Sequence, residues 1–79
     1  MSQLTLYSTL GCHLCDDAKS IIWSVLPHFD TTLGEVDIAD DDALIEAYGV
    51  RIPVVKLNDR DDDLGWPFTK QQLIDYLAN

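Results

Sequence analysis

Residues 4–15 read LTLYSTLGCHLC, and this stretch predicts a strand that leads directly into a helix carrying two cysteines. Leu4–Ser8 has the pattern of a short strand whose side chains point to alternating sides. Gly11 then breaks the strand. From Cys12 onward the apolar residues recur at helical spacing, and Pro27 marks the end of this helix. The apolar face of the predicted helix consists of Leu14, Ala18, Ile21, Ile22 and Val25.

Three further strands follow along the chain. They are predicted at Thr32–Ile38, Pro53–Leu57 and Asp63–Trp66. Residues 58–62 between the last two are rich in Asn and Asp, which is typical of a turn. Proline is tolerated at the first position of a strand, so the strand that begins at Pro53 is consistent with this assignment.

Two further helices follow from capping residues and apolar spacing. One of the aspartates at 40–42 caps a short helix, and Gly49 is expected as its C′ residue. Thr69–Gln72 matches the capping box of a final helix. The apolar residues of the two helices are Leu44, Ile45 and Tyr48, and Leu73, Ile74 and Leu77.

The elements therefore follow the order β-α-β-α-β-β-α in a single domain over residues 1–79, because 79 residues are too few for two hydrophobic cores. The first two strands, joined by a helix, should be parallel, and the last two should form an antiparallel hairpin. This order predicts an α/β fold with a four-stranded mixed sheet and helices on both faces.

The charge balance disfavours two classes of partner. Five basic residues against 14 acidic residues give a formal net charge of −9, and the pI is near 4.1. Such a surface repels phosphate backbones and anionic membranes, so neither nucleic-acid nor membrane binding is expected. No apolar run is long enough to span a membrane, and the first residues lack the basic start of a secretory signal. We expect a cytoplasmic monomer.

The two cysteines, Cys12 and Cys15, form one Cys-x-x-Cys motif. A disulfide closing so small a loop contributes on the order of 2 kcal/mol, so the pair is better suited to redox chemistry or metal binding than to holding a fold together. Cys12 lies where the strand passes to the helix, and a helix N-terminus favours the thiolate that attacks disulfides. Cys15 lies on the same helical face, within reach to close a disulfide.

Metal binding is the alternative interpretation of the motif. Zinc normally takes four ligands, and only His13 and His28 could join the cysteines within this chain. His13 lies between the cysteines on a tight turn and points to a different side, so a metal or iron–sulfur module would need a partner chain or an outside thiol. No metal site is therefore assigned. His13 is instead a candidate to tune Cys12, because an imidazolium would stabilise the thiolate.

Four parts of the sequence together resemble a glutaredoxin-like protein of the thioredoxin superfamily: Leu4–Cys15, the strand residues Val36–Ile38, the run Tyr48–Val54 and the final helix. The resemblance is strongest to a small bacterial group that carries a Cys-His-Leu-Cys motif. The resemblance covers nearly the whole chain and implies the thioredoxin/glutaredoxin-like fold. It also implies that Cys12 is the nucleophile and that Cys15 resolves the mixed disulfide. The proline that matches Pro53 is in cis beside the cysteines in that superfamily. We expect this arrangement to leave the backbone of Ile52 free to pair with an extended substrate.

Four segments depart from the pattern of the glutaredoxins. His13-Leu14 replaces their Pro-Tyr, Thr9-Leu10-Gly11 replaces a Lys before the motif, Arg51-Ile52 replaces Thr-Val, and Leu64–Pro67 replaces a Gly-Gly sequence. The family holds the anionic tripeptide glutathione through these positions, so we expect weak glutathione binding here. Arg51 is the one basic residue placed to substitute for the missing Lys.

These features together predict a thiol–disulfide oxidoreductase that uses the Cys12/Cys15 dithiol–disulfide couple and requires no cofactor. Arg51, Ile52 and Pro53 are the expected substrate-binding residues. The expected substrates are protein or small-molecule disulfides, and a thioredoxin-type reductant would recycle the enzyme. The alternative is the non-catalytic metal or iron–sulfur module described above.

Overall fold

The computed structural model describes residues 2–78, in which it contains four strands, three α-helices and two 3₁₀ helices. The strands are β1 (Ser2–Ser8), β2 (Thr31–Asp37), β3 (Val54–Leu57) and β4 (Leu64–Gly65). The α-helices are α1 (His13–Val25), α2 (Asp42–Tyr48) and α3 (Lys70–Ala78). The 3₁₀ helices cover Leu26–His28 and Ile38–Asp40. The predicted order of elements is confirmed.

The strands form one mixed sheet in the order β2-β1-β3-β4. β1 is parallel to β2, with α1 between them in the chain, and β3 runs antiparallel to both β1 and β4. The register pairs Ser8 with Asp37 and Tyr7 with Val54. Both neighbours of β1 therefore reach the end of β1 that leads to the cysteines. The predicted parallel pair and antiparallel hairpin are confirmed.

The alternation along β1 directs its side chains to two different layers of helices. Leu4 and Leu6 are fully buried in a core shared with α1 and α3. Tyr7 projects to the opposite face, where its ring stacks on Tyr48 of α2 with the ring centroids 4.4 Å apart. The predicted sheet with helices on both faces is confirmed. The buried core consists of Leu4, Leu6, Ala18, Ile22, Val25, Leu26, Val55, Leu57, Phe68, Leu73 and Tyr76.

The capping residues predicted for α2 and α3 both form their hydrogen bonds. The Asp41 carboxylate accepts from the backbone N–H groups of Ala43 at 2.9 Å and Leu44 at 3.3 Å. Thr69 and Gln72 form the complete capping box: each side-chain oxygen accepts from the other residue's backbone N–H, at 3.1 and 2.8 Å. These bonds satisfy donors that the first turn of a helix leaves without partners.

The predicted end of α1 is confirmed, because the helix ends at Val25 and Pro27 lies in the 3₁₀ helix that follows. Two local expectations are wrong. Leu14 is 48% exposed instead of buried on the inner face of α1. Gly49 has φ −50°, so it is not a left-handed C′ residue; a Cβ there would lie 2.5 Å from the carbonyl oxygen of Ile45, and glycine permits this close approach.

Two predicted strands also end later in the chain than the strands in the structure. β2 ends at Asp37, because the Asp37 carboxylate accepts from the Ala39 N–H at 2.9 Å and begins a 3₁₀ helix. β4 covers only Leu64–Gly65. Pro67 has no N–H to continue the ladder beyond Trp66. Among residues 2–78, none of the helices has the length and apolar character needed to cross a bilayer.

Candidate active site at Cys12 and Cys15

The turn after β1 places Cys12 at the start of α1. Gly11 has φ +79°, a left-handed conformation that glycine adopts without steric cost. The Cys12 N–H donates to the carbonyl oxygen of Thr9 at 3.4 Å, which closes the turn. Cys12 is then the N-cap residue of α1 rather than part of the helix.

Cys12 and Cys15 are joined by a disulfide, with their Cα atoms 5.3 Å apart, within the range that disulfides normally span. The backbone N–H of Cys15 also donates to the Cys12 sulfur at 3.1 Å. The sulfur thus occupies the place that a serine or aspartate oxygen takes in an ordinary N-cap. After reduction, this N–H and the helix dipole favour the Cys12 thiolate over the thiol.

The two sulfurs differ in their access to solvent. Cys12 is half-buried, whereas Cys15 is only 3% exposed. Disulfide exchange requires a direct approach of one sulfur to another, so an incoming substrate can reach Cys12 more easily than Cys15. The geometry therefore suits Cys12 for the first attack and Cys15 for a later intramolecular step.

A cavity of about 460 Å³ adjoins the disulfide between the start of α1 and the ends of β1 and β2. Its charged residues are Asp16, Lys19, Glu35 and Asp37. The remaining residues that line it are Ser8, Thr9, Leu10, Gly11, Cys12, His13 and Cys15.

A short polar network crosses the wall of this cavity. The Ser8 hydroxyl donates to Glu35 Oε2 at 2.8 Å, and Lys19 Nζ lies 2.9 Å from the same oxygen. The hydrogen bond from Lys19, with that from Ser8, lowers the pKa of Glu35. The same bond to Glu35 raises the pKa of Lys19. Both groups therefore keep their charges near neutral pH.

We expect the pKa of Glu35 to rise in the Lys19→Met variant, because this variant removes the hydrogen bond that lowers the pKa most. Carboxyl ¹³C NMR titration of the wild type and the variant measures this change. Lys70→Met is the matched control, because it also removes one exposed positive charge. The depressed pKa means that the network stabilises the fold above the unfolded-state pKa of Glu35, and that this contribution is lost as the pH falls through the folded-state value. An unchanged Glu35 titration in Lys19→Met would contradict the assignment of the partner.

The sequence alone did not place Ser8, Lys19 and Glu35 at the site. Two signals were available. Lys19 follows Cys15 by one helical turn, on the same face of α1. Ser8 pairs with Asp37 in the parallel register, which brings the end of β2 beside the turn that carries Cys12.

Arg51 does not line the cavity, and a carboxylate already holds its side chain. Its guanidinium nitrogens lie 2.5 and 3.4 Å from the two oxygens of Asp63. The pKa of Arg51 is raised, mainly by this hydrogen bond. A paired cation attracts an anionic substrate less than the unpaired cation envisaged from the sequence.

The Ile52–Pro53 peptide bond is cis, and Pro53 is fully buried. Pro53 directly precedes Val54, which pairs with Tyr7 near the end of β1. The expectation of a free Ile52 backbone is wrong for its N–H, which donates to the carbonyl oxygen of Tyr48 at 3.0 Å because the chain continues the last turn of α2. The Pro53 carbonyl is likewise occupied, by the Trp66 N–H at 3.0 Å.

His13 is exposed and lines the cavity beside Cys12. Its tuning role stays a prediction. In the described chain from residue 2 to residue 78, no three His, Cys, Asp or Glu side chains are grouped so that they could hold a metal ion. A metal module built on Cys12 and Cys15 would thus draw further ligands from outside these residues.

Comparison with solved structures identifies the fold. A protein from X. campestris, XcR50, is 37% identical over 95% of both chains, with a TM-score of 0.80. Protein Ne2328 from Nitrosomonas europaea is 23% identical, with a TM-score of 0.83 over 96% of this chain and 91% of that one. A mutant thioredoxin from Halobacterium salinarum is 20% identical, with a TM-score of 0.75 over 98% of this chain and 72% of that one.

Comparison with proteins of curated function gives no match. The family model for the glutaredoxin-like domain (DUF836), in contrast, matches residues 3–78, nearly the whole chain. The solved thioredoxin structure shows that the chain has a thioredoxin-like fold. The family match shows that the chain belongs to the glutaredoxin-like (DUF836) family.

Proposed function

We propose that this protein is a thiol–disulfide oxidoreductase that cycles between a Cys12/Cys15 dithiol and the disulfide. The observation that carries the proposal is the asymmetric pair: a half-buried Cys12 whose sulfur accepts the Cys15 N–H at 3.1 Å, beside a Cys15 that is 3% exposed. The pair adjoins a cavity open to a substrate. A purely structural disulfide needs neither the access nor the helix N-terminus.

This geometry supports the following reaction. In the reduced protein the Cys12 thiolate attacks one sulfur of a substrate disulfide, forms a mixed disulfide and releases the other sulfur as a thiolate, which takes a proton from water. Cys15 then loses its proton and attacks the Cys12 sulfur. The second substrate thiol leaves, and the Cys12–Cys15 disulfide remains. Two electrons pass to the substrate, and a thiol reductant must supply two electrons to restore the dithiol.

Exposed apolar side chains near the cysteines favour protein substrates over small ones. Leu10 is 91% exposed and Leu14 is 48% exposed, on either side of Cys12 in the sequence. Exposed apolar residues around a reactive group are typical of surfaces that contact other proteins. We propose a protein disulfide as the substrate and a thioredoxin-type protein as the reductant.

The test of the activity is reduction of a disulfide by catalytic amounts of the protein with dithiothreitol as reductant. Bis(2-hydroxyethyl) disulfide is a suitable neutral substrate. We expect turnover above the uncatalysed rate, and removal of metal by a chelator should leave it unchanged. Turnover no faster than that of the buffer, together with metal bound to the purified protein, would favour the metal or iron–sulfur module.

Glutathione is expected to be a poor substrate, because the family's Lys is missing and Arg51 is paired with Asp63. We expect Arg51→Ala to change turnover of a peptide–glutathione mixed disulfide by less than about fivefold, since one exposed ion pair contributes only about 0–1 kcal/mol. Lys70→Ala is a matched control that removes one exposed positive charge. Efficient turnover that is lost in Arg51→Ala, but not in Lys70→Ala, would show that Arg51 recognises glutathione.

A further inference from the structure

The cavity beside the disulfide has an uneven set of charges. Asp16, Glu35 and Asp37 contribute three carboxylates to its wall, and Lys19 contributes the one ammonium among the described residues that line it. His13 also lines the cavity, and its imidazole is not included in this balance. A group that approaches Cys12 through the cavity therefore meets an excess of two negative charges.

The one cation of the wall is already engaged. Lys19 Nζ lies 2.9 Å from Glu35 Oε2, so this pair presents little net charge to a ligand. Of the two remaining carboxylates, Asp37 accepts a hydrogen bond from the Ala39 N–H, which leaves its negative charge in place. Asp16 is exposed in the first turn of α1, one residue after Cys15.

No other cation of the described chain compensates these two groups at the cavity. Arg51 is paired with Asp63, and Arg60 with Asp62, on the side of the molecule formed by β4 and its connections. Lys56 and Lys70 are not among the residues that line the cavity. The excess negative charge is therefore concentrated beside the disulfide, in addition to the net negative charge of the whole chain.

Building on the oxidoreductase function proposed above, we propose that this cavity selects disulfides that carry positive charge next to the reacting sulfur. In a protein substrate, that charge would be a Lys or Arg beside the cysteine. A volume of about 460 Å³ accommodates such a side chain, and Asp16 and Asp37 are the residues that would attract it. An anionic substrate would meet like charges at the same position, and salt at physiological strength screens such charges only over about 8 Å.

Three small disulfides of similar size test the selection: cystamine, which carries two positive charges, neutral bis(2-hydroxyethyl) disulfide, and 3,3′-dithiodipropionate, which carries two negative charges. Each rate with the reduced protein is divided by the rate of the same disulfide with dithiothreitol, because the charge on a leaving thiol also alters its intrinsic reactivity. We expect the normalised rates to fall in that order, with a cation-to-anion ratio of about tenfold. At an ionic strength of about 1 M, where the screening length is about 3 Å, the ratio should shrink.

Two double variants distinguish the effect of the charges in the cavity from the effect of the net charge of the protein. Asp16→Asn with Asp37→Asn removes both uncompensated charges, and asparagine preserves the capping ability of residue 37. Asp17→Asn with Asp30→Asn removes the same total charge from residues that do not line the cavity. We expect the cation-to-anion ratio to fall to about threefold or less in the first variant and to stay near the wild-type value in the second.

Equal normalised rates for the three disulfides in the wild-type protein would overturn the charge selection and leave the oxidoreductase function standing. An equal drop of the ratio in both double variants would also overturn it, since the effect would then belong to the net charge. Failure to react with any of the three disulfides, the neutral one included, would overturn the proposed function and the selection together.

Discussion

Replacing Cys12 with serine is expected to lower disulfide exchange by on the order of a thousandfold or more, to the rate of the uncatalysed reaction. Serine can keep the N-cap hydrogen bond that the Cys12 sulfur now accepts from Cys15, so α1 should still form. The hydroxyl is not ionised near neutral pH, however, and it does not attack a disulfide. The loss of activity would therefore arise from chemistry and not from unfolding, which circular dichroism of the variant can check.

The Cys15→Ser variant is the matched comparison, because it removes the other sulfur of the same disulfide. We expect it to react once with a substrate disulfide and to remain as a mixed disulfide on Cys12, which intact-mass measurement and peptide mapping would detect. The reason is that serine cannot perform the later intramolecular step that we propose for Cys15, which is only 3% exposed. A mixed disulfide that instead accumulates on Cys15 in Cys12→Ser would reverse the two roles.

The second large effect concerns stability. We expect Leu6→Ala to lower the free energy of unfolding by about 2–5 kcal/mol, as large-to-small substitutions in a well-packed core do. Leu6 is fully buried in β1, the strand that pairs with both β2 and β3. Its partner across the antiparallel ladder, Val55, is also fully buried, so little solvent or flexible structure is available to fill the space that the alanine leaves.

Leu10→Ala is the control, because it makes the same chemical change at a side chain that is 91% exposed. We expect a change within about 0.5 kcal/mol there. Urea denaturation followed by tryptophan fluorescence measures both variants. Similar losses of stability in Leu6→Ala and Leu10→Ala would contradict the placement of β1 at the centre of the core.

The fold could be predicted from the sequence because its main signals are local. The alternation in β1, the helical spacing in α1 and the capping box Thr69–Gln72 each depend on residues close together in the chain. The local predictions were wrong where contacts between separate elements determine the burial or conformation of a residue. Leu14 fits the apolar spacing but lies at the exposed start of α1, and Gly49 is required by the approach of the Ile45 carbonyl and not by a left-handed turn.

The candidate site could be predicted only in part, for the same reason. The two cysteines are three residues apart, so their spacing and the neighbouring strand were enough to indicate them. Glu35 and Lys19 meet only because β2 lies parallel to β1 beside α1, and no local pattern in the sequence pairs them. The N–H of Ile52 was likewise assigned to a substrate because its bond to Tyr48 depends on how the chain leaves α2.

The measurement that tests the reversible Cys12–Cys15 couple most directly is a redox titration of the wild-type protein. The protein is equilibrated with reduced and oxidised dithiothreitol in varying ratio, quenched with acid, unfolded and alkylated, and its intact mass is recorded. We expect two thiols to react under reducing conditions and none under oxidising conditions, in one reversible two-electron transition that a chelator does not shift. Two cysteines that stay reduced throughout the titration, or a form with one free thiol that predominates across it, would contradict the redox couple at the centre of the proposed function.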